Sequence, residues 1–183
     1  GEASTTLATY ADILEFLARH ELDRKSLIVA LGGGVTGDMA GFAAATYMRG
    51  IPYVQIPTTL LAAIDSSVGG KTAVDLSAGK NLVGAFHQPS LVLCDTDTLE
   101  TLSPEIFADG AAEAIKYGVL DSAALFAQIR DHKIGVDREE IIEKCVSIKR
   151  DYVVEDERDT GARQFLNLGH TIGHAIEACS NFT

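Results

Sequence analysis

Two short segments and a glycine-rich loop carry the residue types needed for a metal-assisted reaction on an anionic substrate. Glu113-Ala-Ile-Lys116 spaces a carboxylate and an ammonium i, i+3, so a helix would put both on one face. Asn167-Leu-Gly-His170-Thr-Ile-Gly-His174 spaces two imidazoles i, i+4, which suits two metal ligands, or one ligand and one proton carrier. No HExxH occurs, so the zincin arrangement is excluded. Asp65-Ser-Ser-Val-Gly-Gly-Lys-Thr72 and Gly79-Lys80-Asn81 add two lysines beside glycines, where backbone N–H groups and cations together can hold a phosphate. The GxxxxGK[ST] frame fails because Asp65 stands where its first glycine belongs, so this is no Walker loop.

Each signal has a plain alternative. An exposed i, i+3 ion pair contributes roughly 0–1 kcal/mol and is the commoner reading of Glu113 and Lys116 in isolation. Their flank of Ala111, Ala112, Ala114, Ile115 and Tyr117 leaves little polar context and argues the other way. Lys71 and Lys80 taken singly read as solvated side chains on a polar surface hairpin, and each histidine as a helix-cap residue. Arg163, Asn167, His170 and His174 form one stripe if a helix begins early enough, a cation, an amide and two imidazoles suited to an oxyanion-rich substrate. Lys149 and Asp156-Glu-Arg158 lead up to that stripe along the chain.

The elements that must position these groups change character along the chain. Leu7, Ile13, Leu14, Leu17 and Ala18 recur at helical spacing between Ser4 and His20, with Ser4, Thr5 and Thr6 as candidate caps. Leu27 to Leu31 is a continuous apolar run ending at three glycines, the pattern of a strand buried in a parallel sheet. Small apolar residues from Asp38 to Met48 and a β-like run from Ile51 to Ile56 complete a βαβ unit, and Leu91 to Cys94 is a third strand. Gly32-Gly-Gly34-Val-Thr-Gly37 fits GxGxxG between strand and helix; the acid that usually follows the next strand is missing, since that strand ends Gln55-Ile-Pro57. From Pro104 onward the pattern is helical: 104 to 120, 121 to 131, 138 to 154 and 164 to 179, with Ser103 and Asp137 as caps. The predicted fold is thus an α/β segment followed by an all-α segment, divided as residues 1–97 and 98–183.

Composition narrows the partners. Fifteen Lys and Arg stand against 26 Asp and Glu, a net charge of −11, which argues against a nucleic-acid backbone as ligand. Three separated cysteines without CxxC spacing suggest neither a disulfide framework nor a thiolate metal site. No apolar stretch reaches the roughly 18 residues that span a bilayer, and no membrane partner is expected. A cytoplasmic protein is expected, and a chain that begins at Gly1 without Met is expected to be part of a longer one.

Taken in order, Gly32 to Asp38, Pro57-Thr-Thr-Leu-Leu61, Asp65 to Thr72, Gly79-Lys-Asn81, Glu113 to Lys116 and Asn167 to His170 resemble the 3-dehydroquinate synthase family over nearly the whole chain. The resemblance implies a phosphate-eliminating cyclase of the shikimate pathway. It would turn 3-deoxy-arabino-heptulosonate 7-phosphate, a phosphorylated sugar acid, into 3-dehydroquinate and phosphate, using NAD and a divalent metal, Zn2+ or Co2+. By position, Glu113 and His170 resemble metal ligands. Glu2, Gly33, Gly34, Asp38, Thr58, Thr59, Asp65 and Lys80 resemble nucleotide contacts. Arg49, Lys71, Lys80, Asn81, Arg163 and Asn167 resemble substrate contacts, and His174, Lys116, Lys149 and Asp65 the catalytic set. Arg49 matches an arginine lent across a dimer interface, so a homodimer is expected. The family's third metal ligand, in a His-Gly-Glu segment, would lie past Thr183, and Thr5 stands where the family has a lysine. The alternatives are a sister sugar-phosphate cyclase such as 2-deoxy-scyllo-inosose synthase, a metal-dependent alcohol dehydrogenase, or a non-catalytic fragment.

Overall fold

The fold is that of a computed structural model describing residues 2–131 and 134–179. The side chains of Glu2, His174, Glu177 and Ala178 lie outside the described residues, and with them the expected roles of Glu2 and His174.

The α/β part forms as its pattern requires. Thr6 caps α1 (Leu7–Arg19) by accepting a hydrogen bond from Thr9 N at 3.2 Å. β1 (Ile28–Gly32), α2 (Gly34–Thr46) and β2 (Tyr53–Pro57) make the expected βαβ crossover, and β5 (Leu91–Val92) extends the parallel sheet in the order β1-β2-β5. Strands alternate their faces. Ala30, Tyr53 and Gln55 are buried toward α2, whereas Val29, Leu31, Leu91 and Leu93 on the other face are exposed. α2 is built of small residues because it lies almost against the sheet: a Cβ on Gly41 would stand 3.1 Å from the Tyr53 ring.

The expectation of only three strands is corrected. β3 (Lys71–Leu76) and β4 (Gly79–Phe86) form a separate antiparallel hairpin that buries Val74 against Met39 and Phe42 of α2. Its inner face is carried by Thr72, Val74, Val83 and Ala85, of which only Thr72 and Val74 are fully buried, and Gly, Lys, Asn and Asp interrupt the alternation, so the period-2 signal is faint.

The helical part holds α3 (Pro104–Asp121), α4 (Ala123–Arg130), α5 (Arg138–Glu155) and α6 (His170–Cys179). Ser103 and Ser122 cap α3 and α4 through Ile106 N and Leu125 N. Asp137 takes the cap position of α5 without a capping bond; its carboxylate accepts from Gln128 Nε2 instead. One apolar core joins Ala114 and Tyr117 of α3, Leu125 and Ile129 of α4, and Ile141, Ile142, Cys145 and Ile148 of α5. The same core takes in Leu60, Ala63 and Ile64, which run into a π-helical turn, Ala62–Ser66.

A continuous helix over 164 to 179 is not formed. A 3-10 turn spans Ala162–Asn167, the chain passes through Gly169 at φ 85°, and α6 starts at His170. Left-handed backbone at this point is open to glycine and ends the helical path. The stripe of Arg163, Asn167, His170 and His174 is therefore divided between two elements. Among the described residues no helix is long and apolar enough to cross a membrane.

Candidate active site

The groove between the hairpin and the helices is a cavity of about 730 Å3. Of the residues singled out from sequence, Asp38, Asp65, Lys71, Asn81, Lys116, Lys149, Arg163, Asn167 and His170 all line it. The π-helical turn delivers Asp65, and insertions of this kind recur at functional sites. α3 delivers Lys116, α5 delivers Lys149, the 3-10 turn Arg163 and Asn167, and the start of α6 His170.

Burial decides between the plain and the chemical readings of the cations. Lys116 is 8% exposed and Lys149 6%, so neither is a solvated lysine. Lys149 Nζ lies 2.8 Å from Asp65 Oδ1 and donates to the backbone carbonyl of residue 65 at 2.7 Å. Tyr117 Oη donates to the same Oδ1. Burial alone would raise the Asp65 carboxyl, but the ammonium groups of Lys149 and Lys116 hold it down at about 2. Burial also draws the Lys149 ammonium below its ordinary value, against the pull of Asp65. The Tyr117 phenol is pushed well above its usual range by burial and then by the Asp65 charge, which keeps it a donor.

Lys116 pairs with Glu113, and the other Glu113 oxygen, Oε1, stands 3.3 Å from His170 Nε2. The surface-pair reading of Glu113 and Lys116 is thereby corrected: apolar neighbours on α3 draw the pair inward, beside an imidazole. Glu113 and His170 converge as oxygen and nitrogen donors suited to a divalent cation. Among the described residues no third His, Cys, Asp or Glu joins them.

Arg163, 3% exposed, is pinned from behind: Nη1 donates to the Glu157 carbonyl at 2.7 Å and Nη2 to the Gly69 carbonyl at 3.1 Å. Asp156 shapes the preceding loop, accepting from the amides of Thr160, Gly161 and Arg163 at 3.0, 2.6 and 3.2 Å. Those amides, Thr160 first, hold its carboxyl below the usual range. The loop so shaped presents Asp159 to Lys71, with which it forms an ion pair across the cavity mouth. Asp159 Oδ1 is buried without a hydrogen-bond partner in the protein.

Beside the cavity residue Ser66, the Gly33-Gly34 turn opens α2 close to Thr58 and Thr59. Thr58 N donates to Gly32 O at 2.9 Å, and a Cβ on Gly33 would come within 3.1 Å of the Thr59 methyl group. A Cβ on Gly34 would stand 3.0 Å from Ser66 Oγ, a buried hydroxyl with no protein partner that lines the cavity. Helix-start amides, a cradle that only glycine leaves open and an orphaned hydroxyl fit the phosphates or sugar of a nucleotide.

Of the residues expected at the site, Gly33, Gly34, Thr58, Thr59, Glu113, Lys80 and Arg49 do not themselves line the cavity. Lys80 is exposed on β4, and Arg49 ends a 3-10 turn in which Met48 and Arg49 both take left-handed backbone, at φ 49° and 69°. Conversely, Asp159 and Ser66 line the cavity, and Tyr117 underlies it, without having been singled out. Asp159 does follow directly on the charged run Asp156-Glu-Arg158, the one local sign of it.

The chain matches the family described as 3-dehydroquinate synthase N-terminal over residues 1–109 and that described as 3-dehydroquinate synthase C-terminal over residues 110–183. It is 50% identical to the 3-dehydroquinate synthase of Desulforamulus reducens, over 100% of this chain and 52% of the relative. Among solved structures it superposes with a TM-score of 0.86, at 34% identity, on 2-deoxy-scyllo-inosose synthase complexed with carbaglucose-6-phosphate, NAD+ and Co2+, covering 98% of this chain and 51% of that one. With 2-epi-5-epi-valiolone synthase from Streptomyces hygroscopicus, carrying NAD+ and Zn2+, the TM-score is 0.90 at 28% identity, over 97% and 52% of the two chains. The chain thus spans about half the length of the curated relatives it matches.

Proposed function

The chain belongs to the 3-dehydroquinate synthase family, and from that premise we propose that its cavity is the larger part of the active site of a phosphate-eliminating cyclase acting on 3-deoxy-arabino-heptulosonate 7-phosphate. The observation that carries the proposal is the gathering of Lys71, Asn81, Lys116, Lys149, Arg163 and Asn167 around one cavity in a chain of net charge −11. Local cation density against the global charge suits a small doubly anionic substrate.

The residues divide the work by chemistry. Lys71, Asn81 and Asn167 would hold the phosphate, joined by Arg49 from a second copy in a homodimer. Arg163, whose planar guanidinium is already fixed by two carbonyls, suits a bidentate grip on the substrate carboxylate. Lys149 and Lys116 would face the reacting carbons with Asp65 fixing the first of them. His174, one helical turn beyond His170, would carry the proton, since imidazole titrates near neutrality.

Glu113 and His170 would hold a Zn2+ or Co2+ ion, which when bound polarises a substrate oxygen. The Gly33-Gly34 turn, Asp38, Thr58, Thr59 and Ser66 would hold NAD, which when bound accepts and returns a hydride. A cytoplasmic location completes the reading.

Full-length protein supplied with NAD+ and Zn2+ is expected to release orthophosphate from the heptulosonate phosphate without net NADH. Net NADH would mark a dehydrogenase instead, and equal turnover of a substrate lacking the carboxylate would mark a sister cyclase. Because Asp159 competes for Lys71, Asp159→Asn is expected to tighten product inhibition by inorganic phosphate by up to about fivefold, the scale of a half-exposed ion pair. An unchanged inhibition constant would separate Lys71 from the phosphate.

A further inference from the structure

Tyr117 has no exposed surface, yet it carries a hydroxyl into the apolar core formed by Leu60, Ala114, Leu125 and Cys145. A phenylalanine would fill the same space without a polar group to satisfy, so packing gives no reason for the phenol. Its bond does. Tyr117 Oη donates to Asp65 Oδ1, the same oxygen that receives Lys149 Nζ at 2.8 Å. Two of the three Lys149 donors go to Asp65, one to the carboxylate and one to the carbonyl, which leaves the third for the cavity that Lys149 lines. The Tyr117 ring also backs the neighbouring cation, with Lys116 Nζ 5.1 Å from its centroid, within the range of cation–π attraction.

We propose that Tyr117 is a positioning residue for the reaction: its hydroxyl fixes Asp65, Asp65 aims the Lys149 ammonium at the substrate, and the ring steadies Lys116. One buried side chain thereby sets the place of both lysines on the cavity floor. The proposal rests on the phosphate-eliminating reading above. The hydroxyl stays protonated because burial and the Asp65 charge both oppose its ionisation, so the clamp holds across the working pH range.

The test compares the full-length enzyme, with NAD+ and Zn2+, as parent, Tyr117→Phe, Asp65→Asn and the double variant. Tyr117→Phe is expected to lower kcat roughly tenfold or more, the scale of a lost hydrogen bond to a charged group. KM should stay within about threefold of the parent, because truncating Tyr117 leaves uniform substrate binding in place. In the Asp65→Asn background the same change should add less than about twofold, since residues acting through one another are not additive. A role in packing alone predicts the opposite, an equal loss in both backgrounds. Parent-like kcat in Tyr117→Phe, or a fully multiplicative loss in the double variant, overturns the proposal. Should Tyr117→Phe not fold, site-specific 3-fluorotyrosine keeps ring and hydroxyl while making a stronger donor. Its kcat must then differ from the parent, and an unchanged kcat overturns the proposal. A parent that releases no phosphate overturns the cyclase reading and this proposal with it, whereas an active parent beside an indifferent Tyr117→Phe overturns this proposal alone.

Discussion

Asp65→Ala is expected to lower folding stability by about 3–5 kcal/mol, the scale for removing one partner of a buried ion pair, and to abolish turnover. The size follows from what the substitution leaves behind. Lys149 would keep its charge at 6% exposure with only the residue 65 carbonyl as acceptor, Lys116 would lose an opposing charge, and the Tyr117 hydroxyl would be buried without a partner. Urea unfolding of parent and variant measures it, and a loss under about 1 kcal/mol would mean that the pair behaves as a surface pair. Acid supplies a second reading. The carboxyl lies at about 2 in the fold against an ordinary 3.8. A lowered carboxyl contributes stability above its unfolded value and loses it as the pH falls toward the folded one. The parent should therefore shed this contribution between about pH 4 and pH 2, and Asp65→Asn should be flatter across that window.

Gly69→Ala is expected to lower kcat/KM about a hundredfold, the penalty of a displacement near 1 Å at a substrate-positioning group. Gly69 takes φ 100°, and a Cβ there would stand 2.9 Å from both Arg163 Cζ and Val153 Cγ2. The guanidinium fills the place of the missing side chain, and its Nη2 is bonded to the carbonyl of that same residue. Alanine would push Arg163 off its two carbonyls and add roughly 1–3 kcal/mol of backbone strain. The loss should appear chiefly in KM for the carboxylate-bearing substrate. If KM holds while stability alone drops, Arg163 does not grip that carboxylate.

What could be read from the sequence follows the range of the interactions. The βαβ unit and the caps at Ser103 and Thr6 rest on spacings of a few residues, and the fold bears them out; Glu113 and His170, 57 residues apart, were joined only by the family resemblance. Asp159 and Tyr117 could not be read in this way, since their partners Lys71 and Asp65 are 88 and 52 residues away. No local pattern records such a pairing. The break before α6 was hidden for another reason: Phe165, Leu166, Leu168 and Ile172 are spaced as a helix would space them. Only the backbone at Gly169 reveals the turn between them. The hairpin was faint because only Thr72 and Val74 of its inner face are fully buried, and Thr72 works through a hydrogen bond to the Ala85 carbonyl.

The run from Leu60 to Ser66 lies among the strands by sequence and among the helices by packing, since Leu60, Ala63 and Ile64 share a core with α3, α4 and α5. No cut near residue 100 would therefore yield two self-sufficient folding units. Loosening the helices would release the turn that carries Asp65, and with it the cavity floor. Local stability and ligand affinity become one cooperative quantity, in which a molecule bound across the groove protects both halves from unfolding together.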